Sequence, residues 1–224
     1  MKKYTVDNIP KQQTHEWLKY KHYAKRIPII IYSFGLYDVS LTLQGVCTYG
    51  PPARTLNNGH GVFGGNLEVM TLELNRIITN DNLPKNMLSF FLAKTFKQLP
   101  SPSCLVSYAD STAGHHGYIY QATNWLYCGE TKPEKIYLNK ETNKPIHPRI
   151  INKMFVSRAS KAMPNGIEVS VKDGGKHKYI KFIGSKKEVK NMRKNLAYKI
   201  LPYPKGENTN YNATYEPSFQ LKAF

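Results

Sequence analysis

The sequence predicts an α/β (α+β) protein, a mixed sheet flanked by helices with a basic C-terminal extension. Three observations predict it. Hydrophobic residues make up 41% of the 224 positions, enough to build a core. A strand–helix–strand–helix order runs from 70 to 126, the pattern of parallel strands joined by crossover helices. The charge is also segregated. Lys and Arg number 32 against 15 Asp and Glu, and the net +17 divides into +4 over residues 1–130, +14 over 131–205 and −1 over 206–224. These boundaries mark a core, a basic half that completes the sheet and contacts nucleic acid, and a flexible polar tail.

The elements follow in chain order. Thr14 is placed to cap a helix running to about Arg26, and Pro28 ends it. Ile29–Asp38 reads as a buried strand and Leu41–Tyr49 as its neighbour, stopped by Gly50-Pro51-Pro52. A loop rich in Gly and Asn spans 57–66. Met70–Ile78 alternates, with Leu72, Leu74 and Arg76 on one face and Glu73, Asn75 and Ile77 on the other. The helix Asn86–Leu99 carries one apolar stripe: Met87, Leu88, Phe91, Leu92, Thr95 and Phe96. Cys104–Tyr108 is a strand ending at Asp110, and Gly114–Leu126 a second helix. Beyond Gly129, residues 136–138, 167–171 and 178–183 suit antiparallel strands. Ser185–Ile200 is an amphipathic helix with Val189, Met192, Leu196 and Ile200 inward.

Composition narrows the function. No run approaches the roughly 18 apolar residues of a membrane span, and the first residues lack the apolar stretch of a signal peptide. Three scattered cysteines without CxxC spacing suit a reducing cytoplasm and argue against a disulfide framework or a zinc ribbon. The basic block favours a polyanion over a merely solvated surface, because each phosphate neutralised releases counterions. Lys176, Lys178, Lys186, Lys187, Lys190, Arg193 and Lys194 are its nucleic-acid-binding candidates. Lys outnumbers Arg, which favours backbone attraction over base reading.

The chemistry concentrates at Ser107–Trp125, beyond the carboxyl end of a strand, where open α/β sheets present ligands. Asp110 there is either a base, a metal ligand or a helix cap. His115 would need partners such as His22 and Asp110 to hold a metal. Ser107 beside His115 suggests a hydrolase pair, yet the GxSxG elbow is absent. Tyr118, Tyr120 and Tyr127 are core aromatics or, facing a cleft, proton donors. Arg76 interrupts an apolar strand pattern, and a charge there is costly unless it is paired or faces a site. Glu73 and Asn75 are weaker candidates. His22-Tyr23, closing the first helix, is as readily structural as functional.

Together these residues carry a family likeness. The segments are His22-Tyr23, Tyr49-Gly50-Pro51-Pro52, Glu73-Leu74-Asn75-Arg76, Pro84-Lys85-Asn86 before Ser89-Phe90, Ser107-Tyr108-Ala109-Asp110, Gly114-His115 and Gly117–Ala122. In this order and spacing, over about residues 14–205, the chain resembles the bacteriophage Mom-type DNA modification proteins, themselves similar to the GCN5-related acyltransferases. The resemblance implies a GCN5-related acyltransferase-like twisted mixed sheet with a catalytic core over 1–130. It also implies an enzyme that transfers a carbamoylmethyl (glycinamide-type) group to adenine N6 in double-stranded DNA, protecting phage DNA from restriction in the host cytoplasm.

Within that resemblance Tyr120 is the acid that protonates a departing thiolate, with Asn124-Trp125 replacing the family's Gly-Phe. Asp110 is base or metal ligand, Arg76 the donor or phosphate anchor, His22 and Tyr23 line the cleft, and Ser107 is a further catalytic candidate. Tyr49 and Tyr118 are candidates to stack on a flipped base. His115, Asn124, Lys85 and Asn86 complete the substrate contacts. Iron is the metal the resemblance implies, with His22, Asp110 and His115 as candidates. The donor is acetyl-CoA or an aminoacyl-tRNA. The acyltransferase loop that cradles the coenzyme A pyrophosphate is glycine-rich, whereas Asn82–Met87 has no glycine and includes Pro84, and an aminoacyl-tRNA would suit the basic half. Two other readings compete: an N-acyltransferase for a small amine or protein, and a non-catalytic basic protein that coats or bends nucleic acid.

Overall fold

The computed structural model describes residues 3–133, 135–146, 151, 165–171, 174–206, 215–218, 220 and 221. The fold is mixed α+β, a large and mostly antiparallel sheet flanked by helices. Seven strands form it: β1 (Thr5–Asn8), β2 (Tyr32–Tyr37), β3 (Leu43–Gly50), β4 (Met70–Thr79), β5 (Ser103–Asp110), β6 (Leu126–Glu130) and β10 (Lys176–Ile183). Their order is β1-β2-β3-β4-β5-β10-β6. The basic strand β10 thus lies inside the sheet, antiparallel to both β5 and β6. Strands β7 (Lys135–Asn139), β8 (Pro145–Ile146) and β9 (Ile167–Val171) make a separate small sheet.

Among the described residues only β4 and β5 are parallel neighbours. They are joined by α3 (Met87–Phe96), as the strand–helix–strand pattern predicts. Met87, Phe91, Leu92 and Thr95 are its buried stripe. They pack with Leu72, Leu74 and Leu105 on one face of the sheet. Helix α4 (Tyr118–Ala122) adds Tyr120 to that layer. The opposite face has two covers. Trp17 and Leu18 pack there against Val46 and Ile78. Val62 and Phe63 of α2 (His60–Phe63) and Met192 of α5 (Lys186–Lys194) pack against Cys104, Val106 and Ile180.

Several boundaries move for local reasons. Thr14 lies within α1 (Gln12–Glu16), not at its cap; its hydroxyl donates to the Lys11 carbonyl at 2.6 Å. The helix continues as a π-helical turn, Trp17–Lys21, and stops at His22, which is extended. Ile29–Ile31 precede the strand, and Ile29 is 67% exposed. The 57–66 loop is partly helical, holding a 3-10 segment at Arg54–Gly59 and then α2. The expected 114–126 helix breaks because Gly114 and Gly117 are both left-handed. A 3-10 turn, Ser111–Ala113, precedes the break and α4 follows it. Gly117 is required there: a Cβ would lie 2.4 Å from the Tyr179 ring. Helix α5 begins on a capping box between Ser185 and Glu188, ends at Lys194 and leaves Ile200 exposed.

The tail is partly docked. Glu16 accepts hydrogen bonds from the Tyr215 hydroxyl (2.6 Å), the Ser218 backbone N–H (2.7 Å) and the Ser218 hydroxyl. The Leu43 N–H donates to the Gln220 carbonyl at 2.9 Å. Residues 207–214, 219 and 222–224 of the expected flexible tail lie outside the described residues. Among the described residues no helix is long and apolar enough to cross a membrane.

Candidate active site

The registered pairs of β4 with β5 run from Met70↔Ser103 to Glu73↔Val106 and stop. Both strands continue, β4 to Thr79 and β5 to Asp110. Their freed ends border a cleft of about 1020 Å³ that draws His22 and Tyr23 from one layer and Asn86 and Tyr120 from the other. A cleft beyond the carboxyl ends of parallel strands is where backbone groups released from the ladder meet a ligand.

A β-bulge aims Arg76. Thr48 pairs with Arg76 and Tyr49 with Leu74, so Asn75 is the extra residue on β4. Its carboxamide accepts from the Thr48 hydroxyl (2.6 Å) and donates to the Ile29 carbonyl (3.1 Å). The slip inverts the faces beyond it. Arg76 and Ile78 therefore lie opposite Leu72 and Leu74, rather than on the shared face that unbroken alternation predicts. The Arg76 guanidinium donates to the Asn75 carbonyl, while its buried Nε has no hydrogen-bond partner among the described residues. Burial lowers its pKa, with Arg26 adding to the effect and Tyr23 and Glu73 opposing it. A half-desolvated guanidinium with unspent donor capacity suits an anion.

His22 is 6% exposed. Its Nδ1 accepts the Ala24 N–H at 3.0 Å, and its ring stacks on Tyr23 at 4.4 Å. Burial, then the charges of Arg76 and His115, push its pKa down to about 3. His22 is therefore neutral at pH 7, with its proton on Nε2, so that edge donates. Tyr23 meets the His115 ring edge-on at 5.2 Å. The His115 pKa is lowered by burial and by His116, against Asp110. Asp110 ends β5 and caps the following turn: one carboxylate oxygen accepts from the Thr112 N–H (3.1 Å) and hydroxyl (2.6 Å). Asp110 also lines the cleft.

Ser107 Oγ lies 2.8 Å from both the Leu74 carbonyl and the Tyr120 hydroxyl. With one proton it serves one acceptor at a time, so Tyr120 donates to Ser107 when Leu74 takes the serine proton. Burial raises the Tyr120 pKa against the Ser107 hydrogen bond, which keeps the phenol protonated.

Asp110, Tyr120, Arg76, His22, Tyr23, Tyr118, His115, Asn86 and Lys176 therefore all line one cleft, with Ser107 directly behind Tyr120. Other candidates lie elsewhere. Tyr49 is fully buried against Phe34, its hydroxyl 2.5 Å from that of Thr95, so it has no face for a base. Tyr127 is buried and bonded to His177 at 3.0 Å. Asn124 sits at the end of α4, where its carbonyl receives Lys181 at 3.4 Å, and Lys85 is exposed outside the cleft lining. Lys178 covers the Tyr198 ring at 3.9 Å. Lys186, Lys187, Lys190, Arg193 and Lys194 are exposed on α5.

Neither implied accessory group fits well. Among the described residues no three His, Cys, Asp or Glu are grouped to hold a metal. At the start of α3 the Met87 N–H is spent on the Pro84 carbonyl at 3.1 Å, and Pro84 has none. A pyrophosphate cradle at that turn lacks two donors.

A sequence model of the Mom protein family matches residues 3–205. The chain belongs to the Mom protein family. It is similar to the methylcarbamoylase Mom of Escherichia phage Mu, with 28% identity over 190 residues, 83% of this chain and 77% of the phage Mu protein. The matched span of this Mom-family chain includes every residue of the cleft lining.

Glu73 belongs to the site more fully than its sequence pattern suggests. It lines the cleft, burial raises its pKa, and Arg76 and Lys176 oppose the rise. The spacing Glu73-x-x-Arg76 carries the signal only once the bulge is known, because the extra residue returns both side chains to one face. Arg26, which also lines the cleft, has no sequence signal but its charge beside His22-Tyr23.

Proposed function

We propose that the cleft is the active site of a transferase that places a carbamoylmethyl (glycinamide-type) group on adenine N6 of phage DNA, protecting that DNA from restriction in the host cytoplasm. The observation that carries this reading is the convergence of Arg76, Asp110, His22 and Tyr120 where β4 and β5 part, in a chain similar to a methylcarbamoylase.

The exocyclic amine of adenine is conjugated with its ring and poorly nucleophilic, so orientation and proton removal must supply the rate. Asp110 accepts the N6 proton as the new N–C bond forms. Tyr120, held protonated by burial, gives its proton to the donor's leaving atom while Ser107 donates to the phenol oxygen and keeps it in place. Arg76 holds the anionic part of the donor, while the His22 N–H steadies the developing charge and Tyr23 forms the wall beside it. The amine of a paired adenine is engaged in the duplex, so the base leaves the stack and Tyr118, 37% exposed, is the aromatic placed to receive it. Lys176 at the rim and the cations of α5 hold the backbone.

Expression of the protein with a plasmid in bacterial cells, followed by mass spectrometry of the plasmid nucleosides, tests this. The expected product is an adenosine heavier by the carbamoylmethyl substituent. Folded protein with an unchanged adenosine profile refutes the assignment.

A further inference from the structure

After the turn at His22–Lys25 the chain runs to β2 with its isoleucines alternating. Ile27, Ile29 and Ile31 are 41%, 67% and 53% exposed, while Ile30 packs towards Trp17, Leu18 and Val46. The backbone beneath this ridge is fixed. The Ile31 N–H donates to the Tyr49 carbonyl at 2.8 Å, and the Asn75 amide holds the Ile29 carbonyl. Gly50 permits the approach: a Cβ there would lie 2.1 Å from the Ile29 oxygen. The side chains are β-branched and so restricted at χ1. Ile29 and Ile31 are thus held in water on an anchored backbone, with Ile27 exposed two residues before them.

The ridge adjoins the cleft. Tyr23, Ala24 and Arg26, at its start, line the opening, and the residue anchoring Ile29 is the bulge residue next to Arg76. Its flank is cationic: Lys25 and Arg26 are exposed immediately before it, as is Lys19 on the preceding turn. An apolar edge flanked by cations matches duplex DNA, where phosphates border a base stack that apolar side chains can enter.

We propose that Ile27, Ile29 and Ile31 form a wedge that enters the base stack beside the cleft and fills the space left by the departing base. This deepens the DNA-modification reading and rests on it for the fate of the extruded base. Lys25 and Arg26 hold the phosphates on either side of the opened step.

The test uses the full chain and a duplex oligonucleotide carrying a fluorescent purine analogue that brightens on unstacking. Wild-type protein raises the fluorescence. Ile27→Ser/Ile29→Ser/Ile31→Ser, with native circular dichroism, abolishes the rise, keeps its affinity for single-stranded DNA within about twofold, and lowers plasmid modification at least about tenfold, the scale expected when a wedge is removed. The corresponding triple leucine variant, still apolar, retains the rise. A serine variant that brightens the analogue as wild type does overturns the wedge. So does an equal loss of single-strand and duplex binding, or a wild-type dimer that the serine variant dissociates, which would assign the ridge to a second copy. The two readings fail separately. An isoleucine-dependent rise with no modified adenosine in wild type leaves the wedge standing and removes the enzyme. Modification undiminished in the serine variant does the reverse.

Discussion

The charges at the β4–β5 cleft and those on α5 differ in kind. In the cleft three charged groups are constrained: Arg76 is partly desolvated and aimed by a bulge, Glu73 is pushed towards its neutral form, and Asp110 caps the turn after β5. On α5 the five cations stand in solvent. A desolvated charge acts on a particular atom at a particular place, whereas a solvated one adds to a field that salt screens. On the proposed function the difference separates the reaction from the grip on DNA, with Lys176 of the basic strand, which lines the cleft, joining the two.

The largest effect expected is at Arg76. Arg76→Ala should reduce adenine modification by about 10²–10³-fold, the range for losing a preorganised charge at a reacting centre. Arg76→Lys should recover little, because a point charge does not reproduce the guanidinium fork. Near-normal modification by either variant would break the comparison. Tyr120→Phe should cost about 10²-fold through loss of a general acid. Ser107→Ala should cost less, since it only positions the phenol.

Replacing Lys186, Lys187, Lys190, Arg193 and Lys194 by Gln should act differently. Duplex affinity falls evenly across sequences, and the slope of log affinity against log salt becomes shallower by about 0.9 for each phosphate no longer neutralised. Modification at saturating DNA should remain at the wild-type level. A lower rate at saturation would move the α5 cations from the grip into the reaction.

Stability against pH sharpens the contrast further. His22 titrates near its usual 6.5 when unfolded and about 3 when folded. Its folded pKa is depressed, so its contribution is complete above 6.5 and is lost as pH falls towards 3. Below 6.5 the wild type should therefore lose up to ~1.4 kcal/mol per pH unit more than His22→Gln in denaturant titrations. No such slope is expected when the α5 cations are removed. The smallest effect is at the docked tail: Glu16→Ala removes the acceptor of Tyr215 and Ser218. It should lower Tm by about 2–4 °C, the shift for roughly 1 kcal/mol in a chain of this size.

Much of the site was legible because its signals are local. Asp110, His115, Tyr118 and Tyr120 follow the end of one strand, so recognising that end gathers them. Arg76 betrayed itself as a charge in an apolar run. What escaped depends on long-range register. Tyr49 looks available until its pairing with Leu74 and its contact with Thr95 bury it. The bulge at Asn75 has no sequence mark, and strict alternation therefore set Arg76 on the wrong face. The Ile29–Ile31 run reads as core by composition, yet pairing with β3 turns its odd members outward. The sheet's parallel pair was legible from the strand–helix–strand order, but insertion of β10 between β5 and β6 was not, since 45 residues separate Glu130 from Gly175.

The separation of reaction from grip is tested most directly by quantifying modified adenosine in plasmid from cells producing equal amounts of folded wild type, Arg76→Ala and the five-fold α5 variant. The account predicts modification by wild type, none detectable with Arg76→Ala, and recovery of the α5 variant towards wild type as expression is raised. Modification by Arg76→Ala equal to wild type, or an α5 variant that stays inactive at every expression level, would contradict it.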